Sequence, residues 1–245
     1  MRKSFKYCGK ILQNFLFKMG VQFDLIRPSN DIEKALVLLI STRGIASLID
    51  IGANRGQFGK RVRDLGYKGD LLCIEPLTSL RKDLEKFAKK SSRTQIMTGV
   101  AVSNKVGSRK FNISKNSVSS SLNKIMGRHT YSASDSAYIS TQDVELVTLP
   151  TLISSFSGDE AVAVKIDVQG HENVIIEDIK KSDLRMVKII QLELSKVHLY
   201  EGSSVDKELI PILEDLGFTL FSLGCGFSDP ITGEMLQYDA IYVRD

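Results

Sequence analysis

ASLIDIGANRGQFGKRVRDLGYKGDLLCIEP, residues 46–76, is the stretch whose reading decides the fold. ASLIDI (46–51) and LLCIE (71–75) are short apolar runs, and QFGKRVRDLGY between them has helical periodicity. Strand, helix and strand in that order predict a βαβ unit. Its first turn, LIDIGANRGQF (48–58), places Gly52 and Gly56 where a chain leaving a strand must turn tightly and approach a ligand before a helix begins. The spacing is GxxxG rather than GxGxxG, and no Lys-Ser/Thr follows, so it is not a P-loop. A bare strand-to-helix turn explains the same residues. The second strand ends at Glu75, about where nucleotide folds place a ribose-binding acid, and Pro76 biases Glu75 toward extended backbone. Turn and acid together point to an adenosine-containing cofactor without saying which.

Outward from this unit the alternation continues. TSLRKDLEKFAKK reads as helix, QIMTGVAV as one strand, AVAVKID as strand, ENVIIEDI as helix, VKIIQLEL as strand and DKELIPILEDLG as helix. FTLFSL and DAIYVRD have no helix between them and should pair antiparallel. The expected fold is α/β, a mostly parallel sheet covered on both faces with a closing C-terminal hairpin. Serine-rich residues 114–138 read as a long loop, a length often used for lids and binding loops.

Composition narrows the function classes. The chain has 245 residues, 42% hydrophobic and 25% charged, enough for one substantial core. Its net charge of +4 is mild, and no Trp with 7% aromatics offers no stacking platform, so nucleic acid is not an expected partner. The longest uninterrupted apolar run considered, ALVLLI (35–40), falls far short of the roughly 20 residues of a membrane span. Cys8, Cys73 and Cys225 lack metal or disulfide spacing, which fits a reducing cytoplasm. Near the start, Ile11, Leu12, Phe15, Leu16 and Met19 share one helical face among lysines, so residues 1–40 read as a helical appendage. Residues 1–20 could touch a membrane surface, though packing on the main domain is the plainer and favoured reading.

The second chemical stretch is KIDVQGHE (165–172), which follows the apolar run AVAV. With DIGANRGQF, IEP and VAVSNKVG, in this order and spacing, it resembles the FkbM family of S-adenosylmethionine-dependent methyltransferases over about residues 46–243. The resemblance implies a Rossmann-like, seven-stranded class I methyltransferase fold in residues 41–245. It also implies methylation of hydroxyl oxygens on sugars, glycans or hydroxylated small molecules. Carried onto this chain, Gly52, Ala53, Asn54 and Gly56 would line the methionine part of S-adenosylmethionine, with Asp50 supporting the turn and Phe58 closing the motif. Glu75 with Pro76 would hold the ribose, and Ala101 and Val102 would lie beside the adenine.

Asp167 would end the fourth strand of the sheet close to cofactor and acceptor, as a group that orients a hydroxyl or takes its proton. His171 is the neutral-pH base candidate by intrinsic pKa, and Glu172 opens the next helix, where the helix dipole alone would favour it. Lys165, Gln169, Glu193, His198 and Tyr200 are expected around the acceptor. The family commonly has glutamate where this chain has Gln169, which keeps hydrogen-bonding shape but loses charge and basicity. A divalent metal on Asp167, His171 and Glu172 is not favoured, since such an ion wants more oxygen ligands than this stretch aims at one point. A nucleotide-dependent oxidoreductase and a catalytically inactive cofactor-binding protein are the alternatives. The missing GxGxxG and the closing hairpin speak against the first, whereas Gln169 keeps the second open.

Overall fold

The computed structural model describes residues 31–156, 160–177 and 179–245. The expected helix over residues 1–20, its membrane-facing side and Cys8 lie outside the described residues. The first described helix, α1 (Ile32–Thr42), is capped by Asp31, which accepts from the Lys34 N–H, and buries Leu36, Leu39 and Ile40 against the sheet. A boundary at residue 40 therefore falls within its last turn.

Strands β1 (Ser47–Ile51), β2 (Asp70–Glu75), β3 (Thr94–Thr98), β7 (Val162–Ile166), β8 (Val187–Ser195), β9 (Thr219–Cys225) and β10 (Gln237–Val243) form one sheet in the order β3-β2-β1-β7-β8-β10-β9. The first five strands in that order run parallel. β10 pairs antiparallel with both β8 and β9, the expected closing hairpin. Every residue of β1 and β7 is buried, as the near-continuous apolar sequence of a doubly covered parallel strand requires. One face packs Ile49, Ile51, Val164 and Ile166 among α5 (Leu149–Ser154), α6 (Glu172–Ile176) and α7 (Asp206–Asp215). The other face packs Leu48, Leu71 and Ala163 under α1, α2 (Gln57–Asp64) and α3 (Arg81–Lys90).

The single strand expected over QIMTGVAV is two strands in two sheets. Gly99 breaks it at φ +79, donating its N–H to the Glu75 carbonyl while its own carbonyl accepts from Glu145. β3 stays in the main sheet, whereas β4 (Val100–Ser103) joins β5 (Gly107–Ser114) and β6 (Tyr138–Thr148) in a small sheet of order β4-β6-β5. The stretch expected as a loop, 114–138, is partly ordered: it begins on the last residue of β5, contains α4 (Gly127–Ser132), and ends where β6 starts. The helix expected over ENVIIEDI stops at Ile176.

The decisive packing constraint lies where β1 and β7 end side by side. Gly52 has φ +85, and a Cβ built there would stand 1.8 Å from the Asp167 carbonyl oxygen. Replacing Gly52 by Ala is therefore expected to cost about 3 kcal/mol or more, through left-handed strain plus a backbone clash. Urea unfolding measures this, and a change within roughly 0.5 kcal/mol, the usual range for neutral surface sites, would refute the close approach.

Candidate active site

A cavity of about 340 Å³ opens over the carboxyl ends of β1, β2 and β7 and is walled on one side by the small sheet. Gly52, Asn54, Glu75, Pro76, Ala101, Val102, Asp167, Gln169, His171 and Glu193, all singled out in the sequence, line it. Asp50, Ala53, Gly56 and Phe58 do not line it; Asp50 and Phe58 lie against Lys165, and Gly56 faces Phe87.

At the floor, Asp50 and Lys165 face each other in register on β1 and β7, with Lys165 Nζ 3.4 Å from Asp50 Oδ1 and 3.2 Å from Asp167 Oδ2. The ammonium also lies 5.0 Å from the centre of the Phe58 ring. Burial disfavours its charge, yet Asp167 and Asp50 together hold the Lys165 pKa above its ordinary value. Lys165, expected around the acceptor, does not line the cavity. It is a buried cation that steers the Asp167 carboxylate.

The glycine turn sets the next wall. Asn54 sits at φ +47 and donates its backbone N–H to Glu75 Oε2 at 2.7 Å, while Leu77 N–H donates to Oε1 at 2.8 Å. Burial pushes the Glu75 carboxyl up to about 7, against the pull of those two hydrogen bonds. Each oxygen keeps a second lone pair.

The turn after β7 is held from several sides. Gln169 stands at φ +57 and Gly170 at φ +88. A Cβ on Gly170 would come within 2.5 Å of the Tyr200 side chain, so glycine is required there. Glu172, a catalytic candidate in the sequence, accepts from the backbone N–H groups of Val168 and Gly170 at 3.0 and 2.9 Å, and so braces this turn rather than facing the cavity. His171, the expected base, has both ring nitrogens engaged. Asn123 donates its Nδ2 to the Gly170 carbonyl and turns Oδ1 to His171 Nδ1 at 3.0 Å, which makes Nδ1 the protonated nitrogen. Nε2 then accepts from Ser103 Oγ at 3.0 Å. Burial, aided by the charge of Arg109, lowers the His171 pKa to about 4.

The serine-rich segment crosses the cavity as a strap. Ser117 Oγ accepts from Asn54 Nδ2, Ser121 Oγ donates to the Gln169 carbonyl, and Asn123 grips Gly170 and His171.

On the β8 side of the cavity, Glu193 Oε2 accepts from Gln169 Nε2 at 2.9 Å and from Gln237 Nε2 at 2.8 Å. Its Oε1 carries no hydrogen bond among the described residues. Burial, then the charges of Asp167, Glu172 and Asp239, raise the Glu193 pKa well above the carboxylate range. His198, expected around the acceptor, has an exposed ring that bonds the Ser203 carbonyl and does not line the cavity. Tyr200 is fully buried behind the lining, with its hydroxyl on Gln169. His129, Phe227 and Gln237 line the cavity without having been singled out in the sequence. Among the described residues no three His, Cys, Asp or Glu side chains converge as a metal site.

The parallel sheet with its closing hairpin, and the cavity at its strand ends beside a glycine turn and a strand-end glutamate, define a class I methyltransferase fold. The model of the methyltransferase FkbM domain matches residues 50–220, and the chain belongs to that family. No curated protein matches the sequence. Among solved structures, magnesium protoporphyrin IX methyltransferase from Synechocystis PCC 6803 is similar at 12% identity and TM-score 0.47, over 87% of this chain and 78% of that one. Precorrin-6y C5,15-methyltransferase from Geobacter metallireducens GS-15 is similar at 13% and 0.43, over 86% and 87% of the two chains. The 1,6-didemethyltoxoflavin-N1-methyltransferase from Burkholderia thailandensis is similar at 11% and 0.44, over 87% and 76%. Likenesses of this order assign nothing further to the chain.

A buried imidazole with both nitrogens satisfied should stay neutral through physiological pH. His171 resonances are expected to show no titration between about pH 5.5 and 8, and an inflection near the ordinary value of about 6.5 would contradict the clamp.

Proposed function

We propose that the protein is an S-adenosylmethionine-dependent O-methyltransferase acting on a hydroxyl of a sugar, a glycan or a hydroxylated small molecule. The observation that carries this reading is Glu75, a buried carboxylate at the end of β2, fixed by two backbone N–H groups and lining the cavity beside the glycine turn. Its remaining lone pairs suit the two hydroxyls of a ribose. Ala101 and Val102 supply buried apolar wall for a flat base, and the turn at Gly52 and Asn54 supplies close backbone for the amino-acid end. The residues present therefore fit the cofactor.

When bound, S-adenosylmethionine supplies a methyl group carried on a positively charged sulfur. The chain's own contribution is to hold the acceptor in line and to manage one proton. Asp167, held by Lys165 and Gln169, orients the acceptor hydroxyl as a hydrogen-bond acceptor. Glu193, with Oε1 unengaged and its basicity raised by burial, is the carboxylate suited to take the proton. His171 latches the strap to the turn, and Glu172 braces that turn; neither is assigned the proton. The serine strap and the small sheet shield the site from water.

S-adenosylmethionine should raise the thermal midpoint whereas NAD should not, because only a ligand of the native state stabilises it. Equal, negligible shifts with both would remove the cofactor assignment. Glu75 must be ionised to accept from both ribose hydroxyls, and its pKa stands near 7. Calorimetric affinity for the cofactor is therefore expected to weaken as pH falls below about 7, by up to roughly tenfold per unit. An affinity flat across that range would exclude Glu75 from the ribose. Asp167→Asn should lower methyl transfer by about 100-fold or more across a panel of hydroxylated acceptors while cofactor binding stays measurable. Full retained activity would take Asp167 out of the mechanism.

A further inference from the structure

The geometry gives the Gln169 amide a task that a carboxylate cannot perform. Its Nε2 has two protons. One goes to Asp167 Oδ1 at 2.8 Å and the other to Glu193 Oε2 at 2.9 Å. Its Oε1 accepts from the Tyr200 hydroxyl at 2.8 Å, which decides which end of the amide faces the two acids. Tyr200 is itself fully buried and packed edge-on against His129 at 5.1 Å, so the donor has little freedom to turn away. The backbone at 169 lies in the left-handed region and is pinned by Ser121 Oγ on its carbonyl at 2.6 Å. Every hydrogen-bonding position of the side-chain nitrogen is used, and it is used on carboxylates from two different strand ends.

We propose that Gln169 is the positioning residue of the acceptor site: its amide, aimed by Tyr200, ties Asp167 to Glu193 without adding charge and so lets two carboxylates stand together facing one acceptor. The assignment of an acceptor rests on the methyl-transfer reading above, whereas the tie between the acids does not. Other titratable groups facing the cluster are Asp50 and Lys165 below it, Glu75 across the cavity, Glu172 on α6, Asp239 on β10 and Tyr200 behind the amide. Lys165 is the cation among them, and its ion pairs go to Asp50 and Asp167 rather than to Glu193. Glu193 therefore depends on neutral donors, Gln169 and Gln237, for its hydrogen bonds. A glutamate at 169 would put a third carboxylate within hydrogen-bond distance of two others. That arrangement folds readily only while it holds protons.

The test reads stability against pH, needs neither cofactor nor acceptor, and so fails separately from the functional reading. Thermal midpoints of the full chain, Gln169→Glu and Gln169→Met are compared from about pH 5.5 to 8 in buffer containing a chelator. In Gln169→Glu the carboxyl cluster has folded-state pKa values above those of the unfolded chain. Its stability is therefore present at low pH and lost as pH rises through that window. The deficit relative to wild type should widen by roughly 4 °C or more across the range, with near-recovery at the acid end, where a protonated glutamate replaces one N–H donor. Gln169→Met leaves two acids without their shared donor and should show the same direction. The other titrating groups are common to all three proteins and cancel in the comparison. Deficits that stay constant with pH in both variants would reduce Gln169 to a packing residue and overturn the proposal, as would a Gln169→Glu protein as stable as wild type throughout.

Discussion

One buried ammonium organises the centre of this molecule. Lys165 lies within the parallel sheet, in register between Asp50 on β1 and Gln191 on β8, and among the described residues its ion pairs are with Asp50 and with Asp167 two residues along the chain. Leaving such a charge without partners would cost on the order of 3–5 kcal/mol. A slip of one residue between β1 and β7 would send Lys165 or Asp50 to the opposite face, so the ion pair also specifies register. With the register set, Gly52 meets the Asp167 carbonyl at a distance that excludes any side chain, and the glycine turn is placed against the strand end that carries Asp167. The direction of the Asp167 side chain, and with it the acceptor end of the cavity, follows from this arrangement.

The parts of the fold that were legible in the sequence are those in which burial on both faces leaves a continuous apolar run. β1, β2, β7 and β8 are of that kind, and the residues that end them, Glu75 and Asp167, could be placed from the run alone. β5 and β6 were not legible, because each presents a solvated face and their charged residues mask the period of two. The break at Gly99 was hidden for another reason: the residues on either side are all acceptable in a strand, and only the crossing of two sheets demands the turn.

Within the site, the glycine turn and Glu75 belong to one local βαβ unit and were legible from its pattern, whereas Ala101 and Val102 lie on β4 in the small sheet. The partners of His171 are 68 and 48 residues away in the chain, and Gln237 reaches Glu193 across 44. No local pattern announces contacts of that range. His171 therefore looked like a base until Ser103 and Asn123 were seen on its two nitrogens. Gln169 looked like a loss of function when read as one letter. Between Asp167, Glu193 and Tyr200 it is the donor that makes a crowded acidic site compatible with folding.

The proposed function divides the labour in one cavity: Glu75 and the glycine turn for the cofactor, Asp167 and Glu193 for the acceptor, and the serine strap across both. A crystal structure of the protein with S-adenosylhomocysteine tests that division most directly. The account predicts the ribose hydroxyls on the Glu75 carboxylate, the adenine against Ala101 and Val102, and the sulfur on the side of the cavity that faces Asp167. A nucleoside bound with Glu75 uninvolved, or outside this cavity, would contradict it.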